Sequence, residues 1–191
     1  MISSRDVTIA GHKGDLKTAT LALSSPNPDI RASALSALHR LHKLTEQQIE
    51  SSFRDQSPHV RRRAAETAAK YPTVNLLPAL SDPDDLVVEV AAWSCGEHQD
   101  VSDEVLQRLI DLATSHANSL VRESAAAALG AIGDLRGLPA ILKACSDKPA
   151  VRRRAVLALA PFEGPEVEEA IDKALTDKDW QVRQSAEDLR R

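Results

Sequence analysis

A pair of residues, valine or isoleucine followed by arginine, recurs about every 30 residues in this chain, and each pair precedes helix-favouring, mostly alanine-rich sequence. A degenerate pair, Val87-Val88, stands where one copy is missing, so the successive intervals are 30, 27, 34, 30 and 31 residues. A period of this length is typical of a helical solenoid, in which each repeat packs only on its neighbours. The sequence therefore predicts an all-α fold, an α-α superhelix of about six helix-pair repeats. The complete pairs are Ile30-Arg31, Val60-Arg61, Val121-Arg122, Val151-Arg152 and Val182-Arg183.

The repeats predict a single domain over residues 1–191, in which each repeat holds a first helix A, a short turn and a second helix B. The fifth repeat is the clearest, with helix A over residues 134–144 and helix B over residues 150–160. Proline near the start of helix B fits the first helical turn, where its missing N–H costs nothing. The predicted repeats are residues 12–43, 44–71, 72–99, 100–132, 133–163 and 164–191.

Both ends of the chain are predicted to cap the array. Residues 4–11 resemble the end of a further B helix, which would cover the first repeat. In the last repeat, Glu187 and Asp188 replace apolar residues, so the final helix is expected to face water, as terminal repeats do. Trp180 opens that helix and is predicted to be a lid over the final repeat, with a second binding anchor as the alternative.

Composition favours a soluble, cytoplasmic protein. The formal net charge is −4, which argues against a dedicated nucleic-acid binder because such proteins carry a basic excess. The chain has no run of 18 apolar residues and no signal-peptide pattern. Its two cysteines, Cys95 and Cys145, lie in different repeats and form no disulfide framework or metal motif. Phe, Tyr and Trp total five, so Ala, Leu, Val and Ile are expected to fill the interior.

The arginine of each pair is predicted to lie beside the core. At about 100° per residue, Ala64 and Ala68 share the face of Val60, and Arg61 falls about 100° away from it. A charge in that position needs a partner, and Asp55 stands five residues before Val60. The pattern predicts a run of aspartate–arginine pairs that brace the turns between A and B helices. Other candidate acids are Asp29, Asp147 and Asp177.

These repeats resemble HEAT repeats, of the subtype named after the phycobilisome lyases. The family pattern of Val-Arg, two variable residues, Ala-Ala and Ala-Leu-Gly is matched by residues 121–130 and in part by residues 151–159. The resemblance covers nearly the whole chain and implies a right-handed superhelix whose B helices line a concave, partner-binding surface. The matching residues build the scaffold, so the resemblance implies the fold and leaves function open. Val88 replaces the arginine of the third repeat, so the sequence leaves open whether that repeat has an aspartate–arginine pair.

The solvent-facing side of the B helices is accordingly the candidate recognition surface. Leu86, Val90 and Trp93 form an apolar stripe in the third repeat, with spacings of four and three residues. The corresponding row of the fourth repeat is expected to leave room beside Trp93, and it consists of Leu120, Ser124, Ala127 and Ala131. An exposed tryptophan in a shallow groove is a common interface anchor. The alternative is that Trp93 fills a packing gap left by the short third repeat, and both interpretations remain open.

Two arginine pairs on the same predicted face form a second candidate. Arg62 and Arg63 in the second repeat, and Arg153 and Arg154 in the fifth, could contact phosphates or an acidic peptide. The alternative is a solvated face that is neutralised by glutamates of the same surface. These are Glu66, Glu89, Glu97 and Glu123.

Catalytic and metal-binding patterns are absent from the sequence. It contains no phosphate-binding glycine loop, no Gly-x-Ser-x-Gly and no His-Glu-x-x-His. His39-x-x-His42 lacks an apparent third ligand, and Cys95-x-x-His98 is a weaker coincidence. HEAT-repeat hydroxylases carry several His-Glu dipeptides for two irons, and this chain has none. No metal, no other cofactor and no catalytic residue are therefore expected.

The sequence thus predicts a non-enzymatic interaction module whose concave face binds another protein or a peptide segment. Its apolar stripe would anchor the partner, and the mixed charges around it would orient that partner. Nucleic-acid binding, as in the related DNA alkylation-repair glycosylases, and a bilin-lyase-like activity are the alternatives, and no membrane partner is predicted. The predicted partner-binding residues are Leu86, Val90, Trp93, Arg62, Arg63, Glu123, Arg153, Arg154 and Leu157.

Overall fold

The computed structural model describes residues 2–98 and 100–190, and this part of the chain contains twelve α-helices and no β-strand. The predicted all-α class is confirmed. The helices are α1 (Ser4–Lys13), α2 (Leu16–Ala22), α3 (Pro28–Arg40), α4 (Glu46–Ser52), α5 (Pro58–Ala68), α6 (Asp85–Gly96), α7 (Asp103–Ser115), α8 (Ser119–Ile132), α9 (Leu138–Ala144), α10 (Pro149–Ala158), α11 (Pro165–Leu175) and α12 (Trp180–Leu189).

Local sequence accounts for where the B helices begin and end. Pro28, Pro58 and Pro149 are the first residues of α3, α5 and α10, as expected for a residue whose φ suits the first helical turn. Pro83 differs, because it lies two residues before α6. Gly133 ends α8 in the left-handed conformation, with φ 72°, which glycine adopts without a side-chain clash.

Five pairs of consecutive helices pack against each other as predicted A–B pairs: α2–α3, α4–α5, α7–α8, α9–α10 and α11–α12. The third repeat differs from the prediction. Between α5 and α6 the chain forms one short 3-10 turn, Ala79–Ser81, and no α-helix A. Pro72, Pro78 and Pro83 stand in or beside this segment, and each lacks a backbone N–H and crowds the preceding turn. The prolines therefore explain why the predicted helix does not form there.

The described residues form two compact bodies, an N-terminal body that ends at Ala91 and a C-terminal body that begins at Ala92. The division falls within α6. Each body buries mainly Leu, Ile, Val and Ala, as the composition predicts. Among the side chains with the least exposure are Leu35, Leu38 and Ile49 in the N-terminal body and Leu109, Leu129 and Ile141 in the C-terminal body.

Neighbouring B helices approach closely enough for backbone contact at glycine positions. A Cβ atom added to Gly130 on α8 would lie 2.5 Å from the Cβ of Ala158 on α10. In the N-terminal body, a Cβ added to Gly11 on α1 would lie 2.9 Å from the Cα of Ala37 on α3. Helix α1 thus stands where a B helix before the first repeat would stand.

Four arginines of the repeated pairs make the same two-bond ion pair. In each of them Nε and Nη2 donate to the two oxygens of one aspartate over 2.6–2.9 Å. Aspartate–arginine pairs are present as predicted, but each aspartate belongs to the following repeat rather than to that of the arginine, and the four acids include Asp82 instead of Asp29. The pairs are Arg31–Asp55, Arg61–Asp82, Arg122–Asp147 and Arg152–Asp177.

The same arginines also bind their own repeats. Nη1 of Arg31 donates to the carbonyl oxygen of Ser25 at 2.8 Å, and Nη1 of Arg61 donates to the carbonyl oxygen of Asp55 at 3.0 Å. Each guanidinium therefore ties the turn before its own B helix to the turn of the next repeat. Hydrogen bonds from these arginines hold the pKa of Asp55, Asp147 and Asp177 below the usual range for aspartate.

Candidate partner-binding surface

Three large apolar side chains of the C-terminal body are exposed on consecutive B helices. Trp93 on α6 is 44% exposed, Leu120 on α8 is 42% exposed and Leu157 on α10 is 37% exposed. Trp93 is therefore not enclosed in the core. Single exposed apolar residues are ordinary, but a row on adjacent helices is typical of a binding surface.

Trp93, Ala127 and Leu157 occupy equivalent positions, the fifth residue after the arginine position of their repeats. The side chain at this position is therefore large on α6 (Trp93), small on α8 (Ala127) and large on α10 (Leu157). A Cβ added to Gly96 would lie 3.1 Å from the Cα of Ala128, so α6 packs tightly on α8 at this level. With helix axes about 10 Å apart, Trp93 and Leu157 lie about 20 Å apart, the length of about six extended residues.

The charges beside this row are partly neutralised. The Glu123 carboxylate on α8 lies 3.7 Å from Nη2 of Arg153 and 3.7 Å from Nε of Arg154, both on α10. The Glu123 side chain is largely buried, whereas both guanidiniums are more exposed. One carboxylate faces two guanidiniums, so the cluster keeps one net positive charge. This arrangement supports the interpretation in which glutamates of the same face neutralise part of the arginine charge.

The N-terminal body places its predicted residues on the solvent side of α5 and α6. Arg62 and Leu86 are exposed, and Arg63 and Val90 are half-buried. Nη1 of Arg63 binds the Glu66 carboxylate at 2.8 Å, one helical turn along α5. This pair is exposed and contributes little to stability.

The nine predicted partner-binding residues divide between the two bodies. Arg62, Arg63, Leu86 and Val90 belong to the N-terminal body, and Trp93, Glu123, Arg153, Arg154 and Leu157 belong to the C-terminal body. Leu120 was not among the predicted residues. Its signal was present in the sequence, because it stands immediately before Val121-Arg122, as Leu86 stands before Val87-Val88.

Trp180 is the first residue of α12 and is 65% exposed. A lid over the final repeat would bury most of its indole, so the prediction of a lid is wrong. Prolines hold this position in α3, α5 and α10.

Of the histidine and cysteine side chains singled out in the sequence, His39, Cys95 and Cys145 take part in packing, whereas His42 is exposed. Nδ1 of His39 lies 3.1 Å from the hydroxyl of Tyr71, and burial lowers the pKa of His39. Burial raises the pKa of the Cys95 thiol to about 12 and that of Cys145 to about 11. Among the described residues, no group of three or more His, Cys, Asp or Glu side chains is arranged to hold a metal ion.

Each body contains a surface pocket. A pocket of about 650 Å³ in the N-terminal body is lined mainly by apolar and hydroxyl side chains, among them Ile2, Leu21 and Ile30. A pocket of about 440 Å³ in the C-terminal body lies between α9 and α11 and includes Cys145 and Lys173. The Cys145 thiol is protonated at neutral pH because burial raises its pKa, so it is not an activated nucleophile.

Solved structures share this fold at low sequence identity. The Escherichia coli protein YibA is 18% identical with a TM-score of 0.71, over 97% of this chain and 74% of that chain. A designed armadillo repeat protein in complex with the peptide (KR)4 is 19% identical with a TM-score of 0.65, over 92% of this chain and 98% of that chain. Human deoxyhypusine hydroxylase is 16% identical with a TM-score of 0.50, over 97% and 76%. These likenesses show the fold alone.

Sequence families agree with the structural comparison. Residues 73–160 match the family described as HEAT repeats, and residues 151–177 match the PBS lyase HEAT-like repeat. A comparison with curated protein sequences finds no match. None of the helices in the described ranges is long and apolar enough to cross a membrane.

Proposed function

We propose that this chain, a HEAT-repeat protein with repeats of the PBS-lyase-like type, is a non-enzymatic module that binds a segment of another protein. Repeats of this type build a scaffold. The proposed surface is the exposed side of the B helices in each body. In the C-terminal body it consists of Trp93, Leu120, Glu123, Arg153, Arg154 and Leu157. In the N-terminal body it consists of Arg62, Arg63, Leu86 and Val90.

The row of Trp93, Ala127 and Leu157, in which the two large side chains are exposed, is the observation that carries this proposal. A large side chain on either side of a small one leaves a shallow recess that one apolar side chain of a partner can enter. Tryptophan at the edge of such a recess is the residue type that most often dominates binding energy. The row supports an extended segment of about six residues as the bound element.

The charges favour a protein segment over a phosphate backbone. Binding to nucleic acid needs several free cations along a groove, but Glu123 already faces Arg153 and Arg154, and Glu66 faces Arg63. The residual positive charge beside Leu157 suits a single acidic residue next to the apolar anchor. Peptide binding by the designed armadillo repeat protein of similar fold is consistent with this mode.

A cytoplasmic location is part of the same proposal. Cys95 and Cys145 are free thiols, which is the usual state in a reducing compartment.

The proposal is tested by recovering partners from a native lysate with the wild-type chain and identifying them by mass spectrometry. The decisive variants are Trp93→Glu and Leu157→Glu, which place a charge in the apolar row. Leu135→Glu is the matched control, because Leu135 is 71% exposed on a different part of the C-terminal body. Circular dichroism first establishes that all three variants are as helical and as stable as wild type.

A protein that binds wild type and Leu135→Glu but neither of the other two variants is the expected result. Binding should weaken only slightly between low and physiological salt, since the anchor is apolar. Equal recovery by all four chains would contradict the proposed surface. Recovery of nuclease-sensitive material that falls steeply with salt and with Arg153→Gln would instead support nucleic-acid binding.

A further inference from the structure

Three consecutive arginines on α10 differ in how the fold uses them. Arg152 donates two hydrogen bonds to the Asp177 carboxylate, over 2.7 and 2.8 Å, and one to the carbonyl oxygen of Asp147. Arg153 and Arg154 donate no side-chain hydrogen bond to any residue that the structure describes, and the carboxylate oxygen closest to each is 3.7 Å away, beyond hydrogen-bond distance. The contacts between repeats therefore use the first arginine and leave the N–H donors of the other two available.

Glu123 on α8 determines where these two side chains point. Nη2 of Arg153 and Nε of Arg154 both lie 3.7 Å from the same atom, Oε1 of Glu123. The Glu123 side chain is 15% exposed, whereas those of Arg153 and Arg154 are 35% and 45% exposed. The buried carboxylate thus draws both guanidiniums toward α8 while part of each stays in water. Side chains that are already oriented lose less conformational entropy when they bind a ligand.

This charged cluster, formed by Glu123, Arg153 and Arg154, lies one helical turn from the apolar row. Glu123 stands four residues before Ala127 on α8, and Arg153 stands four residues before Leu157 on α10. Four residues correspond to about 6 Å along a helix, and the cluster lies between two helices whose axes are about 10 Å apart. The recess over Ala127 and the charged cluster are therefore about 8 Å apart, which two to three residues of an extended chain span.

The chemistry of the charged cluster favours a carboxylate ligand. Two guanidiniums and one carboxylate leave a net positive charge, and a planar guanidinium binds a carboxylate through two hydrogen bonds, as Arg152 binds Asp177. We propose that the segment bound by the C-terminal body carries an aspartate or glutamate two or three residues from its apolar anchor, and that Arg153 and Arg154 bind this carboxylate. This inference rests on the proposed function, because it specifies the segment that the same surface binds.

The test uses the full chain to select binders from a displayed library of random octapeptides, with a parallel selection on Trp93→Gln. This variant removes the apolar anchor without adding a charge. Peptides that bind wild type but not Trp93→Gln occupy the proposed surface. They are expected to share a large apolar residue and an acidic residue that is two or three positions away from it.

A selected peptide is then compared with a copy in which the corresponding amide replaces the acidic residue. The amide copy should bind wild type at least about fivefold more weakly, as measured by fluorescence anisotropy. The double variant Arg153→Gln, Arg154→Gln should bind the two peptides equally, because it lacks both guanidiniums. Lys143→Gln, an exposed change on α9 of the same body, is the matched control and should keep the wild-type preference for the acidic peptide.

Peptides that depend on Trp93 but share no acidic residue at this spacing would overturn the inference and leave the proposed function standing. Equal binding of the acidic peptide and its amide copy to wild type would have the same meaning, and this comparison needs no altered protein. A selection that yields no peptide dependent on Trp93 would overturn the inference and the proposed surface together.

Discussion

Arg152 on α10 and Asp177, in the turn before α12, form a two-bond ion pair although they are 25 residues apart in sequence. Nη2 donates to Oδ1 at 2.7 Å and Nε donates to Oδ2 at 2.8 Å. Arg152 also donates from Nη1 to the carbonyl oxygen of Asp147 at 2.8 Å, and Arg122 binds the carboxylate of Asp147. Consecutive pairs therefore share their turns, so Asp147 contributes to two junctions between repeats, through its carboxylate to Arg122 and through its carbonyl oxygen to Arg152.

We expect Asp177→Asn to destabilise the chain by about 2 kcal/mol, because hydrogen bonds to a charged group that is mostly buried are lost. The change leaves the buried Arg152 guanidinium beside a neutral amide. Urea unfolding followed by circular dichroism measures this loss. Glu169→Gln, an exposed change on α11, is the control and should cost little. Equal midpoints for the two variants would contradict a stabilising role for the pair.

The same pairs predict a loss of stability in acid. Hydrogen bonds from arginine lower the pKa of Asp55, Asp147 and Asp177 in the folded chain, whereas aspartate in the unfolded chain titrates near about 3.9. A lowered folded-state pKa means that the stabilisation is present above about pH 4 and is lost as the pH falls through the folded-state values. Unfolding free energies measured from pH 7 to pH 2 should fall below about pH 4, and less steeply for Asp177→Asn. A flat profile would show that the pairs do not contribute.

Gly130→Ala is expected to destabilise the chain by about 2 kcal/mol through overpacking, although alanine favours helices. The added Cβ would lie 2.5 Å from the Cβ and 2.6 Å from the Cα of Ala158, so backbone must move. Gly96→Ala is the matched comparison, since its nearest contact is 3.1 Å. Thermal unfolding should rank wild type and Gly96→Ala above Gly130→Ala. An increase in stability for Gly130→Ala would contradict the close approach of α8 and α10.

Neither thiol should react readily in the folded chain. Burial raises the pKa of Cys95 to about 12 and of Cys145 to about 11, so the reactive thiolate is scarce at pH 8. Labelling with a chromogenic disulfide reagent should be slow in buffer and reach both thiols in urea. The free amino acid cysteine serves as the reference for the unprotected rate. Rapid labelling of the native chain would show that these thiols are accessible.

Much of the fold follows from local pattern. The phase of Val60, Ala64 and Ala68 predicts which side of α5 is buried, and all three residues are buried. The position of Arg61 beside that face predicts that it needs a carboxylate, and it has one. These predictions hold because a helix has a constant angle per residue, so the spacing of apolar residues determines its inner face.

Other features depend on neighbours that a single repeat does not specify. The aspartate that binds Arg61 is Asp82 of the next repeat, where the sequence pattern pointed to Asp55 of its own. The third repeat has no helix A, because prolines interrupt it.

The sequence by itself thus determined the repeat, the helical class, the buried faces and the need for an acid beside each arginine, because these depend on angles and spacings along one helix. Only the tertiary structure decided which repeat supplies that acid, how far Trp93 and Trp180 are exposed, and that Glu123 faces Arg153 and Arg154. The physical reason is that exposure and charge pairing are set by what packs against a helix, and those neighbours lie about 30 residues away along the chain.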